Sequence, residues 1–275
     1  MSQQIIGLHD WLATPPGRYL LNWEAAQFER AVADIFGYHA LQLGLPELNA
    51  LQANRMPHRW LATDALSAVG SPQPPLPIST ANEAIAQPHR IALLTDLAAL
   101  PFPENSLDLV LLPHTLETSA DAHATLREVE RVLVPEGKVV ISCFNPASLW
   151  GLRQRRARLY KKLGMGDLYL PEAGEFLGYW RLRDWLRLLS FEVESGAFGC
   201  YRPAVRSEQW LNRFAYMDAV GARWWPILGS VYFVVAVKRV RGMRLMGPVW
   251  KSQKKMANAP VSVANQVQPR SGGAD

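Results

Sequence analysis

Several polar residues stand at or just past apolar, strand-like runs. They are Gln42 in "HALQLGL", Asp64 closing "HRWLATD", Asp96 closing "RIALLTD", His114 after "LDLVLLP" and Asn145 after "VVISCF". Ligands of an open α/β sheet bind beyond the carboxyl ends of its strands, so side chains at these positions can reach one. A carboxylate there can accept hydrogen bonds from a ligand; its plainer roles are capping a helix or ordering a turn. His114 is a titratable group at such a strand end, and its plainer role is that of a hydrogen-bonded structural residue. Asn145 offers an amide donor and acceptor over the same end, on a turn stiffened by Pro146. Glu117 reads as a solvated or packing residue of the turn after His114. The two cysteines, Cys143 and Cys200, lack zinc-ligand spacing, and no nucleophile–base triad or metal set is visible. A reduced, cytoplasmic compartment is the simplest expectation.

The elements that must position these residues can be read from periodicity. "WEAAQFERAVADIFG" (23–37) carries apolar residues at helical spacing, Trp23, Phe28, Ala31, Val32, Ile35 and Phe36, and stops at Gly37. Strands follow at "HALQLGL", "HRWLATDAL", "RIALLTD" and "LDLVLLP", with the Pro-rich 70–79 segment expected as a loop. "ADAHATLREVERVL" is an amphipathic helix stopped by "VPEGK" ahead of the strand "VVISCF". A basic segment follows, then the helix "RLRDWLRLLSF" and the strands "EVESGAF" and "SVYFVVAVKR". Strands alternating with helices predict a largely parallel sheet covered on both faces. The apolar stretch 224–240 is broken by Pro226 and Gly229 and is too short to span a bilayer, so it reads as a buried strand.

Charge is unevenly placed. The net charge is +5, but from Lys238 onward there are eight basic residues and one acidic, leaving −2 for residues 1–237. The high isoelectric point therefore belongs to the tail, and nucleic acid is not expected as a partner of the folded body. The segment 151–162, with Arg153, Arg155, Arg156, Arg158, Lys161 and Lys162, is the other basic feature. It reads as a solvated helix face or, together with the tail, as a peripheral contact for an anionic surface.

Four segments in order, "LQLG", Asp64 twenty positions after Gly44, "TDLAALPFPENSLDLVLLPHTLE" (95–117) and "LREVERVLVPEGKVVIS" (126–142), resemble the class I S-adenosylmethionine-dependent methyltransferases. The likeness is to the methyltransferase type 11 group and covers residues 40–145. It implies an α/β, Rossmann-like, doubly wound and mostly parallel seven-stranded sheet with an antiparallel last strand. An N-terminal helical extension (1–37) would precede this domain (38–245), and a basic disordered tail (246–275) would follow it.

The cofactor implied is S-adenosyl-L-methionine, and the acceptor a small molecule of unidentified type. Carried over residue by residue, Asp64 would take the ribose hydroxyls and Asp96 the adenine amino group. The backbone of Leu97 would meet an adenine ring nitrogen. Gln42, Gly44 and His114 would line the cofactor, with His114 as the catalytic candidate and Asn145 facing the acceptor. The family's acidic-x-Gly-x-Gly-x-Gly loop is degenerate here: Gln42 stands for the acidic residue, Gly44 is the glycine kept, and Pro46 and Leu48 occupy the other two positions. Weakened or rearranged cofactor binding is the expectation, and the alternative function is an interaction or regulatory module on the same fold. "CFNP" follows the fifth strand and lacks a second proline, so an amine of nucleic acid is not inferred as acceptor. The tryptophans Trp150, Trp180, Trp185, Trp210, Trp224 and Trp225 could wall an apolar pocket but are expected mainly as core or contact residues.

Overall fold

The computed structural model describes residues 7–64, 91–162, 169–171 and 176–239. The expected 70–79 loop and 246–275 tail lie outside these residues. Seven strands form one sheet: β1 (His39–Leu43), β2 (His58–Asp64), β3 (Leu93–Thr95), β4 (Leu107–Pro113), β5 (Leu133–Phe144), β6 (Phe191–Gly199) and β7 (Val231–Lys238). Their order is β3-β2-β1-β4-β5-β7-β6. β7 runs antiparallel to both of its neighbours, and the other pairs are parallel. The order reverses between β1 and β4, which makes their carboxyl ends the switch point where such sheets bind ligands.

Helices cover both faces. On one side α1 (Leu8–Leu12) and α2 (Pro15–Val32) bury Leu20, Leu21, Phe28 and Val32 against Ala40, Leu109, Leu111 and Val140 of the sheet. On the other, α4 (Ala122–Val132) and α6 (Tyr179–Leu188) bury Leu126, Val129, Leu182 and Leu186 against Val110, Leu112, Ile141 and Val234. Between them in the chain come the short α3 (Thr115–Thr118), then α5 (Leu149–Lys162); α7 (Glu208–Arg213) and α8 (Tyr216–Trp224) precede β7.

Three elements differ from the sequence expectation. α2 begins at Pro15, eight residues before Trp23, because prolines are accommodated in a helix's first turn. It ends at Val32, where the Asn54 amide takes the Val32 and Ile35 carbonyls, so Phe36 is left exposed instead of joining the buried stripe. "VPEGK" does not separate α4 from β5: the strand starts at Leu133, and the pairing jumps from Leu107–Leu133 to Leu109–Lys138. The extra residues bulge out, with Glu136 at φ 64° and Gly137 in a space where a Cβ would meet the Val134 carbonyl at 2.8 Å. Finally, residues 44–57 cross from β1 to the parallel β2 through turns alone, where a helix is the usual connection. Leu45, Leu48, Leu51 and Met56 of this crossover pack beneath α2 in the same core cluster.

Candidate active site at the carboxyl ends of the strands

β1 delivers Gln42 and Gly44 to the switch point. Gln42 is fully buried, and its amide is spent inside the loop that follows: Nε2 donates to the Leu45 and Leu48 carbonyls (3.1 and 2.7 Å), and Oε1 accepts from Ala50 N (3.0 Å). The side chain thus holds the degenerate loop in shape. Gly44 adopts φ +73°, a conformation L side chains rarely take, and donates its N–H to the Ala62 carbonyl at 2.7 Å. A Cβ there would come within 3.3 Å of Thr115 Oγ1. That hydroxyl donates to the Leu43 carbonyl and straps the turn to the start of α3.

The neighbouring strands bring up the two aspartates. Asp64 closes β2 and is paired in register with Thr95 at the end of β3, so Asp96 emerges on the adjacent strand. Asp96 is exposed; its Oδ1 accepts from Ala98 N at 2.9 Å, the geometry of an Asx turn, while the Leu97 side chain is buried.

β4 ends in His114, which sits at φ 51°, ψ 13° with its ring fully buried. Its Nδ1 is 2.7 Å from Glu117 Oε2, and its Nε2 is 3.0 Å from Glu24 Oε1 on α2. Glu24 and Glu117 are themselves buried, and Glu117 also accepts from the Phe144 N–H. The solvated reading of Glu117 is therefore corrected: it is a buried ion-pair partner. The two His114 contacts are unequal. Nδ1–Glu117 is a hydrogen bond, whereas the Glu24 carboxylate meets Nε2 as an ion pair without hydrogen-bond alignment. Burial alone would lower the His114 pKa, but the fields of Glu24 and Glu117 outweigh it and push it up to about 10. His114 is thus an imidazolium at neutral pH. A cation carrying two protons is a poor general base, so this residue orders and charges the site more readily than it abstracts a proton. Burial raises the Glu117 pKa against the pull of His114.

The Phe144 ring lies over His114 with centroids 4.3 Å apart and meets Phe176 edge-on at 5.6 Å. Asn145 follows, with Nδ2 donating to the Ile227 and Gly229 carbonyls (2.7 and 2.9 Å) and Oδ1 accepting from Ala147 N. Those bonds clamp the turn after β5 to the approach to β7. Of the six tryptophans considered from the sequence, Trp150 is a core residue, with its Nε1–H on the Arg202 carbonyl. Trp180, Trp210, Trp224 and Trp225 are exposed.

The structure therefore places Gly44, Asp64, Asp96 and His114 on successive strand ends and turns the amides of Gln42 and Asn145 inward. Sequence reading missed Glu24. The signal was present: Leu20, Leu21, Glu24, Phe28 and Val32 form one helical stripe, and a glutamate on a buried stripe needs a buried cation.

A methyltransferase-domain family profile matches residues 56–141. The uncharacterized protein YafS of Escherichia coli is 31% identical over 256 residues, covering 92% of this chain and 90% of that one. The chain belongs to the same family as YafS and carries a methyltransferase domain over residues 56–141. A malonyl-[acyl-carrier protein] O-methyltransferase of Halorhodospira halophila is 43% identical over 58 residues, 21% of this chain and 20% of its own length. Among solved structures, a SAM-dependent methyltransferase from Archaeoglobus fulgidus matches with a TM-score of 0.50 at 15% identity, covering 79% of this chain and 94% of that one. A chain from the complex of the Haloferax volcanii Trm112 methyltransferase activator matches with a TM-score of 0.50 at 18% identity, covering 84% and 96%. These structural likenesses carry the methyltransferase fold. The family profile begins at residue 56, beyond the Gly44 loop.

Proposed function

We propose that this protein transfers a methyl group from S-adenosyl-L-methionine to a small-molecule acceptor. The observation that carries the reading is the row of strand-end residues at the switch point, with the β2 and β3 carboxylates on adjacent strands next to a left-handed glycine turn. Asp64 would take the ribose, Asp96 the adenine amino group and the backbone of Leu97 a ring nitrogen. Gly44 would form the turn beside the ligand, and His114, buried between Glu24 and Glu117, would support that turn from within the core. The adenosine side fits these residues. The methionine side is altered, because Gln42 spends its amide on the loop instead of presenting a charge to a ligand ammonium.

Bound S-adenosylmethionine supplies an already activated methyl group on a sulfonium. Catalysis then needs chiefly in-line approach and exclusion of water. α1 and α2 contribute the exclusion: Trp11 packs edge-on to Phe144 and donates to the Tyr169 carbonyl, roofing the ends of β4 and β5. A general base is required only for a protonated or weakly nucleophilic acceptor.

The buried, glycine-poor loop supports a second reading, an interaction module on a methyltransferase fold. Calorimetric titration with S-adenosylmethionine and S-adenosylhomocysteine separates the two. Binding is expected; no heat and no thermal shift at millimolar ligand would overturn the enzyme reading. Asp96→Ala is expected to weaken cofactor binding by about tenfold or more, the loss of about one charge-assisted hydrogen bond, with little change in melting temperature. Unchanged affinity would show that the adenine lies elsewhere.

A further inference from the structure

α5 leaves β5 at the carboxyl end of the sheet, and its sequence from 149 to 162 holds six basic residues and no acidic one. Trp150, Gly151 and Gln154 face inward and are buried. On the outward side Leu149, Leu152, Leu159 and Tyr160 are 48, 55, 65 and 46% exposed. At 3.6 residues per turn these four fall within a sector about 100° wide, with Arg156 inside it and Arg153 and Arg155 at its two margins. Among the described residues, neither Arg155 nor Arg156 takes part in an ion pair. A groove of ≈ 700 Å³ runs beside this face, floored by Leu149, Leu152 and Tyr160 and closed by Pro203–Val205, with Arg153 and Arg156 on its rim.

We infer that this face of α5 docks on an anionic phospholipid bilayer. An exposed apolar stripe edged by cations is the composition of a helix that lies in the membrane interface: leucine and tyrosine enter the acyl boundary, while arginines meet phosphates. Arg156, within the stripe, has a stem long enough to reach the headgroups from there. Charge excludes the nearer alternatives. The chain's own tail is strongly basic, and a second copy of α5 carries the same sign, so neither complements this face. Nucleic acid would meet the arginines but gives four exposed apolar side chains nothing to bury against. The inference does not rest on methyl transfer, and its test uses no activity.

The test is flotation of the full chain with vesicles of phosphatidylcholine alone and with phosphatidylglycerol added, at two salt concentrations. Binding is expected on the anionic vesicles, weakening with salt. R155Q/R156Q should lower the partition coefficient about 25-fold, about fivefold per cation near a charged surface. L152S/L159S should abolish binding while retaining the wild-type circular dichroism and melting temperature. If the serine pair fails to fold, R155Q/R156Q alone decides, since it alters exposed side chains. Equal binding to neutral vesicles, no vesicle binding, or variants that partition like wild type would overturn the inference. Single-stranded RNA capture lost in R155Q/R156Q, with no vesicle binding, would reassign the face to nucleic acid.

Discussion

His114 shows how a side chain acquires its chemistry from partners distant in sequence. Alone at a strand end it would titrate near neutrality; between Glu24 and Glu117 it stays protonated up to about pH 10. Because the folded-state pKa lies above the ordinary 6.5, the stabilisation is complete below pH 6.5 and is lost as pH rises towards 10. His114→Gln leaves two buried carboxylates without their cation and is expected to cost about 3–5 kcal/mol at neutral pH. The gap in melting temperature between wild type and variant should narrow steadily from pH 6.5 to 10. A gap that is constant across that window would show that the ring is neutral in the folded protein.

At the scale of elements, β7 and α4 are fastened by one buried cation. Lys238, at the end of β7, donates to the Glu130 and Leu133 carbonyls at 2.6 and 2.8 Å and to Asn105 Oδ1 at 3.2 Å. Those carbonyls belong to the last turn of α4 and the residue after it, where a helix has unpaired acceptors and its dipole favours positive charge. Lys238→Met keeps the aliphatic stem and removes the donors, and should cost about 2 kcal/mol in denaturant unfolding. Lys138→Met is the internal comparison: its bridge to Glu194 is solvent-accessible and should be worth less than about 1 kcal/mol. Equal effects would mean that burial does not set the strength of these contacts. The β1–β2 crossover makes a related point, since its turns hold without a helix because Gln42 and α2 supply what a helix would have supplied.

For the whole molecule, the N-terminal helices are part of the sheet's own core. Phe28 meets Phe233 edge-on at 4.9 Å, and the Trp23 ring fills the space above Gly199, where a Cβ would come within 2.0 Å of it. Removing residues 1–37 strips Leu20, Leu21, Phe28 and Val32 from one sheet face, each worth about 1.5–3 kcal/mol of burial. The expected result is an insoluble or unfolded chain by circular dichroism. A soluble, cooperatively melting 38–275 fragment would show that the helices are an accessory layer.

The sequence by itself determined the sheet, because alternating and continuous apolar runs have the period of strands and the intervening amphipathic runs that of helices. Its loop motifs located the strand-end Asp96 for the same local reason: it orders a turn through an atom two residues away. The parts that the sequence left hidden are set by contacts across the fold. Glu24 meets His114 only once α2 lies on the sheet, and the Gln42 and Asn145 amides turn inward because carbonyls from neighbouring segments must be paired when buried. The outward stripe of α5 likewise became legible only when packing showed which of its residues the core had claimed.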